Sequence, residues 1–328
     1  MEQTGYVNET LGALSDNFYM VALIVYVVAM IVFFAALAST RVGAGQAAEK
    51  RELVSVGAAE PRVPGRVAGP ESRRQTGDRL SGMAYPVVWL GVAAHLTSIV
   101  LRGVATDRAP WGNMYEFISL TCFAGAVAGL VVLRRRDQRP LLSFVLLPVV
   151  LLMFIAGTWL YTVAAPVVPA LKSYWLAIHV SVISISSGIL LVSGVASILY
   201  LVKQRWSSPT DEPSMGGFRG VLARVPSLEG LDRLAYKCVV VGFPIFGLGV
   251  IFGAIWAESA WGRFWGWDPK ETVSFVAWVV YAAYLHARAT AGWRNAAAWI
   301  NVVGFIAMLF NLFGINLIVS GLHSYAGL

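Results

Sequence analysis

The sequence predicts an all-α polytopic integral membrane protein with about eight transmembrane helices and both termini on the outer side of the membrane. Three observations predict it. Of 328 residues, 57% are apolar and only 13% charged, against roughly a quarter charged in a soluble domain, and mean hydropathy is +0.67. Apolar runs of about 20 residues, enough helix to cross the roughly 30 Å hydrocarbon core, recur eight times. The 25 Lys and Arg gather in alternate segments between those runs, as loops held on the cytoplasmic side do.

The first run, 18–40, lacks a leading basic region and is too long for a cleavable signal, so residues 1–40 read as a true N-terminal transmembrane helix. Segment 41–83 carries Gly, Pro and charges of both signs, as in Arg62-Val63-Pro64-Gly65-Arg66 and Glu71-Ser72-Arg73-Arg74. This composition predicts a basic cytoplasmic linker, disordered for want of apolar residues to bury. A block of seven spans, 84–328, follows, with runs near 84–101, 114–133, 140–163, 176–202, 238–257, 269–287 and 296–320. Between the fifth and sixth runs, 203–237 has the Arg219, Arg224, Arg233 and Lys237 pattern of a surface segment with a short amphipathic helix. No internal repeat is evident, which weakens an inverted-repeat transporter reading.

Segments 41–83, 134–139, 203–237 and 288–295 hold eight, four, six and two of the basic residues, against five everywhere else. The net charge of +7 is therefore accounted for by topology, and nucleic acid is not needed to explain it. Cys122 and Cys238 lie far apart, with no CxxC or CxxCH, so a disulfide framework, a thiol redox motif and covalent haem on this chain itself are poorly supported.

One outward-facing loop differs from the rest. Trp256, Trp261, Phe264, Trp265 and Trp267 fall within twelve residues, interrupted by Gly262 and Gly266. An aromatic belt at the membrane interface accounts for one or two such rings. It does not account for this density or for the intervening glycines. A shelf for a large planar, partly apolar ligand does, because ring faces bury it and Gly lets the backbone come close. Asp268-Pro269-Lys270-Glu271 predicts a helix start, with Asp as N-cap, Pro at the first position and Glu reaching back.

The four histidines narrow the ligand. His179 and His323 are placed on the same outer side as the Trp loop, one before it and one after it in sequence. Two imidazoles are the usual axial ligands of a six-coordinate haem iron, although each alone suits an interfacial hydrogen bond. His286, 18 residues beyond Asp268 and so about 27 Å along a helix, falls at the cytoplasmic end of its span, where a snorkelling side chain is the plain alternative. His95 lies inside a span and is expected to hydrogen-bond between helices. No buried chain of acidic residues, Walker motif, Rossmann glycines or zinc spacing occurs in the sequence, so ion- or nucleotide-driven chemistry has no support.

Trp261-Gly-Arg-Phe-Trp-Gly-Trp-Asp-Pro-Lys-Glu-Thr272 resembles the WWD signature of the haem-handling proteins of cytochrome c biogenesis. Its Asp-Pro-Lys-Glu-Thr ending is more similar to the CcsA/ResC branch (System II, often labelled CcsB in actinobacteria) than to CcmC or CcmF. Pro110-Trp-Gly-Asn113-Met-Tyr115-Glu116, Leu171-Lys-Ser-Tyr174-Trp175-Leu-Ala-Ile-His179 and Gly321-Leu-His323-Ser324-Tyr325 match further pieces, in order, across 84–328.

The resemblance implies a cytochrome c assembly (WWD) domain that binds haem b as substrate. His179 and His323 match the outer axial pair, and His286 matches a transmembrane haem histidine. Trp261, Trp265, Trp267 and Asp268 form the shelf, and Arg263 or Lys270 is a candidate for a haem propionate, with a plain solvated charge as the equal alternative. The implied partners are a ResB-type membrane protein, apocytochrome c, a thioredoxin-like thiol reductant with its membrane reductant, and the lipid bilayer. The implied location is the bacterial cytoplasmic membrane, multi-pass, with the WWD loop extracytoplasmic. The expected function is the haem-handling subunit of the System II synthase, presenting haem for thioether attachment to the CxxCH of apocytochrome c. Whether the chain acts as part of a haem lyase or only as a haem transporter or chaperone stays open at this point. A small-solute permease is the weaker alternative.

Overall fold

The structure, a computed structural model, describes residues 7–39, 70–167, 171–206, 217–319 and 321–322. Every regular element among them is helical: α1 Glu9–Ser39, α2 Pro70–Thr106, α3 Met114–Val132, α4 Leu142–Thr158, α5 Tyr174–Trp206, α6 Gly217–Arg224, α7 Leu228–Trp261, α8 Pro269–Ala289, α9 Arg294–Leu312 and α10 Gly314–Leu317, with a short 3-10 turn, Arg139–Leu141, leading into α4. Seven helical stretches are long and apolar enough to cross a membrane. They coincide with seven of the eight expected spans. The eighth, α8, is 21 residues long but does not join that set, because Lys270, Glu271, His286 and Arg288 crowd its two ends.

Three helix starts differ from expectation, the first being α1, which begins at Glu9, nine residues before the expected 18. α2 begins at Pro70, so 70–83, expected as the end of a disordered linker, is helical; the rest of the linker, 41–69, lies outside the described residues. Charge reports contact with water, and Glu, Arg, Gln and Met are good helix formers whether solvated or not. α7 likewise starts ten residues before the expected 238, capped by Ser227, whose Oγ accepts from the Gly230 N–H at 3.2 Å. The short amphipathic helix expected in 203–237 is α6, and the Lys203 ammonium donates to the carbonyls of Leu222 and Val225 at its C-terminal end.

Helix pairs are held by small residues and by polar groups that span them, the means available where apolar burial alone does not favour association. α1 runs antiparallel to α2: Asn8 N–H donates to Ala105 O, Ser15 to Ser98 O, and Tyr26 meets His95. α3 and α5 approach so closely that a Cβ on Gly188 would stand 2.5 Å from the Gly125 nitrogen. α5 and α9 are joined by Asn301, which donates to Ser193 Oγ and Ser197 Oγ, both at 2.7 Å. Where α1, α2 and α3 start or end together, Arg102, Glu116, Arg108 and Asp16 form a buried ion cluster. Arg102 also donates to Thr162 O, and Gly112 N–H donates to Glu116 at 2.7 Å. This cluster fixes the 107–113 loop beside the Trp-rich loop.

Candidate haem-binding cavity

The Trp-rich loop is built on two helix ends. α7 stops at Trp261 because Gly262 takes a left-handed conformation (φ 71°) and returns its N–H to Glu258 O at 2.8 Å, the usual glycine stop. α8 starts at the capping box expected from Asp268 and Glu271: Asp268 accepts from the Lys270 N–H, and Glu271 accepts from the Asp268 N–H. Glu271 holds more than its cap, since its Oε2 also takes the Gly266 N–H at 2.8 Å and its Oε1 lies 3.3 Å from the Arg263 guanidinium. One carboxylate thus ties the whole 263–268 turn. Trp267 carries φ 57°, a conformation that costs a non-glycine residue about 1–2 kcal/mol and that lets its neighbour Asp268 turn inward to the cap.

Asp268 has a second task. Its Oδ2 accepts the Leu322 N–H at 2.9 Å. The backbone immediately before His323 is thereby fastened to the start of α8. His323 itself lies outside the described residues.

His179 sits on α5, facing α7. Its Nδ1 is 2.8 Å from Gly249 O. A carbonyl has no proton to give, so Nδ1 is the donor and the neutral ring's lone pair is on Nε2, the arrangement typical of a metal-binding imidazole. The approach depends on Gly253, where a Cβ would stand 2.7 Å from His179 Cε1. The Trp256 ring lies nearly parallel to the imidazole (10°, centroids 6.3 Å apart), with Trp261 edge-on to Trp256 at 4.8 Å.

These groups line one cavity. Its walls include His179, Trp256, Trp261, Trp265, Lys270 and Glu271, and Trp111 and Phe117 close it from the 107–113 loop and α3. About 160 Å³ is open to the centres of water-sized molecules, against about 10–15 Å³ for a single water on that measure. The lining is mainly apolar and aromatic. Three buried polar atoms on it have no hydrogen-bond partner among the described residues: Trp111 Nε1, Thr121 Oγ1 and Asn311 Oδ1. Aromatic faces, an imidazole with its lone pair on Nε2 and orphaned polar atoms in the lining fit haem as an amphipathic planar substrate.

Of the residues singled out in the sequence, His179, Trp261 and Trp265 therefore meet at this cavity, and Asp268 braces it from behind. Trp267 does not line it: 65% exposed, it packs edge-on to Trp265 at 5.7 Å on the outside of the loop. His286 is exposed near the far end of α8, well away from the cavity. His95 is fully buried, with Nε2 2.9 Å from Ser119 Oγ and Nδ1 3.4 Å from Tyr26 Oη. It joins α1, α2 and α3 as the interhelical bond expected of it.

Sequence reasoning missed Gly249, Gly253, Asn311 and the cavity role of Trp111. The glycines carry a signal, a Gly-x-x-x-Gly spacing on α7, but small residues at that spacing mark any close helix contact. Asn311 carries none, because one amide in an apolar span reads as an ordinary interhelical bond.

Residues 111–323 match the family model described as cytochrome c assembly protein. The chain is 35% identical over 266 residues to a cytochrome c biogenesis protein CcsA of Parasynechococcus marenigrum, covering 75% of this chain and 87% of the relative. It is 33% identical to the CcsA of Gloeobacter violaceus (75% and 86% covered) and 34% identical to that of Guillardia theta (69% and 80%).

Proposed function

The chain belongs to the cytochrome c assembly protein family, and from that membership and the cavity we propose that it is the haem-handling subunit of a System II cytochrome c synthase. It holds haem b between His179 and His323 and presents the vinyl edge to apocytochrome c. The single observation that carries the reading is His179, held by Gly249 O in the tautomer a metal ligand needs, on a cavity walled by Trp256, Trp261 and Trp265. The Asp268–Leu322 bond supports the second ligand, since it anchors the residue next to His323 at the same loop.

Each cysteine thiol of CxxCH adds across a vinyl group: sulfur bonds to one carbon, the thiol proton ends on the other, and nothing is lost. The protein contributes position. Holding ring and thiols in register can lower the barrier by about 7–11 kcal/mol at best. The Glu271-braced turn and the imidazole seated against Gly253 are the contacts that would hold that position. An exposed His286 on α8 suits a transmembrane haem histidine whose second ligand comes from a ResB-type partner. The distribution of the basic segments supports an extracytoplasmic cavity in a bacterial membrane, a location that would bring it within reach of apocytochrome c and its thioredoxin-like reductant.

Co-expression with a ResB-type partner and a CxxCH apocytochrome tests the reading through pyridine haemochrome. Covalent haem that disappears with His179→Ala is the expected result. Haem bound to this chain with no covalent product in the wild type would reduce it to a haem chaperone.

A further inference from the structure

Two cations flank the Trp-rich turn, Arg263 on the loop and Lys270 in the first turn of α8, and the structure gives them different work. Arg263 is taken up by Glu271 at 3.3 Å and lies over the Trp261 ring. Lys270 makes no ion pair among the described residues. Its Nζ donates to Asn316 Oδ1 at 2.7 Å and stands 6.0 Å from the Phe117 ring centroid. An ammonium has three donors, so two are left over after Asn316.

The nearby carboxylates are committed elsewhere. Glu271 binds Gly266, Asp268 and Arg263; Asp268 binds Lys270 N and Leu322 N. The Asp268 charge acts on the ammonium only through space. Lys270 nonetheless lines the cavity, together with the two orphaned donors Trp111 Nε1 and Thr121 Oγ1. Asn311 Oδ1 is the orphan that does not suit an anion. Its Nδ2 is fixed by Ser274 Oγ at 2.6 Å, so Oδ1 offers an acceptor for a water or a protonated carboxyl.

A cation with spare donors, unmatched N–H and O–H groups on the same cavity and aromatic side chains in its lining describe a site for an apolar ligand bearing a carboxylate. We propose that Lys270 binds a propionate carboxylate of haem and so fixes which edge of the ring faces the start of α8. The propionates and vinyls of haem b lie on different edges, so a grip on the former turns the latter away from Lys270. This rests on the haem reading above.

The test compares haem with haem dimethyl ester, which keeps iron, ring and vinyls and removes the anionic charge. Each is titrated into the full-length chain in detergent and followed by its Soret band. Wild type binds the free acid about ten- to hundredfold more tightly, the worth of a charge-assisted hydrogen bond. Lys270→Met abolishes that preference, and Lys270→Arg retains it. Equal binding of both ligands by wild type, or a preference that survives in Lys270→Met, overturns the assignment while leaving haem binding intact. The wild-type comparison needs no variant to fold. Absence of a Soret band with either ligand removes the haem reading and this inference with it.

Discussion

Gly253→Ala keeps His179 itself and adds one methyl group against this proposed iron ligand. Its Cβ would stand 2.7 Å from His179 Cε1 and 2.9 Å from Nδ1. The ring must withdraw by roughly 0.8 Å to reach van der Waals distance, about 3.5 Å. Nδ1 is the atom held by Gly249 O at 2.8 Å, so withdrawal strains the bond that sets the ring's tautomer and direction. Disturbing such an orienting partner weakens metal binding about ten- to hundredfold. The helix itself gains, since Ala is favoured over Gly in a helix interior by about 0.5–1 kcal/mol. A haem titration read at the Soret band, beside a thermal melt in the same detergent, separates the two effects. Affinity is expected to fall by at least tenfold with the melting temperature unchanged or raised. Wild-type affinity in a folded Gly253→Ala protein would refute the placement of His179 against the iron.

Trp267→Gly relieves a left-handed backbone and removes a ring that stands outside the cavity. Thermal stability should hold or rise with haem binding at the Soret band unchanged, and loss of haem binding would show that Trp267 belongs to the site. Glu271→Ala frees Gly266, Asp268 and Arg263 together. At about 1 kcal/mol per lost bond, the loop should become the first point of limited proteolysis; an unchanged digest would mean that the glycines alone shape the turn. Glu116→Gln leaves Asp16 as the single carboxylate for two arginines of the buried cluster, a loss of up to about 3–5 kcal/mol, so the yield of folded protein should drop sharply, and normal yield with an unaltered melt would contradict it. His95→Ala removes bonds to Ser119 and Tyr26 worth on average about 0.6 kcal/mol each in a membrane bundle; the melt should fall with the haem spectrum unmoved, whereas a changed spectrum would give His95 a ligand role.

The helices were legible because an apolar run of membrane length has few other uses, and the α8 start was legible because Asp-Pro-Lys-Glu specifies a cap by local chemistry alone. The α2 and α7 starts were not, since polar residues continue a helix beyond the apolar region without any change of pattern. His179 and the Trp loop could be assigned to one end of the bundle from charge placement. Their meeting at one cavity depends on Gly249 and Gly253, whose contacts are with a helix more than sixty residues away. The same limit hid the division of labour between Arg263 and Lys270, equivalent as letters in a loop and separated only by where Glu271 turns.

The most direct test of the central claim is the electron paramagnetic resonance spectrum of ferric haem bound to the full-length chain with its ResB-type partner, in a His286→Ala background that removes the transmembrane site's signal, with and without His179→Ala or His323→Ala. The outer pair predicts a low-spin, bis-imidazole signal at this site, converted to high spin by either substitution. A low-spin signal that survives in both variants would contradict it.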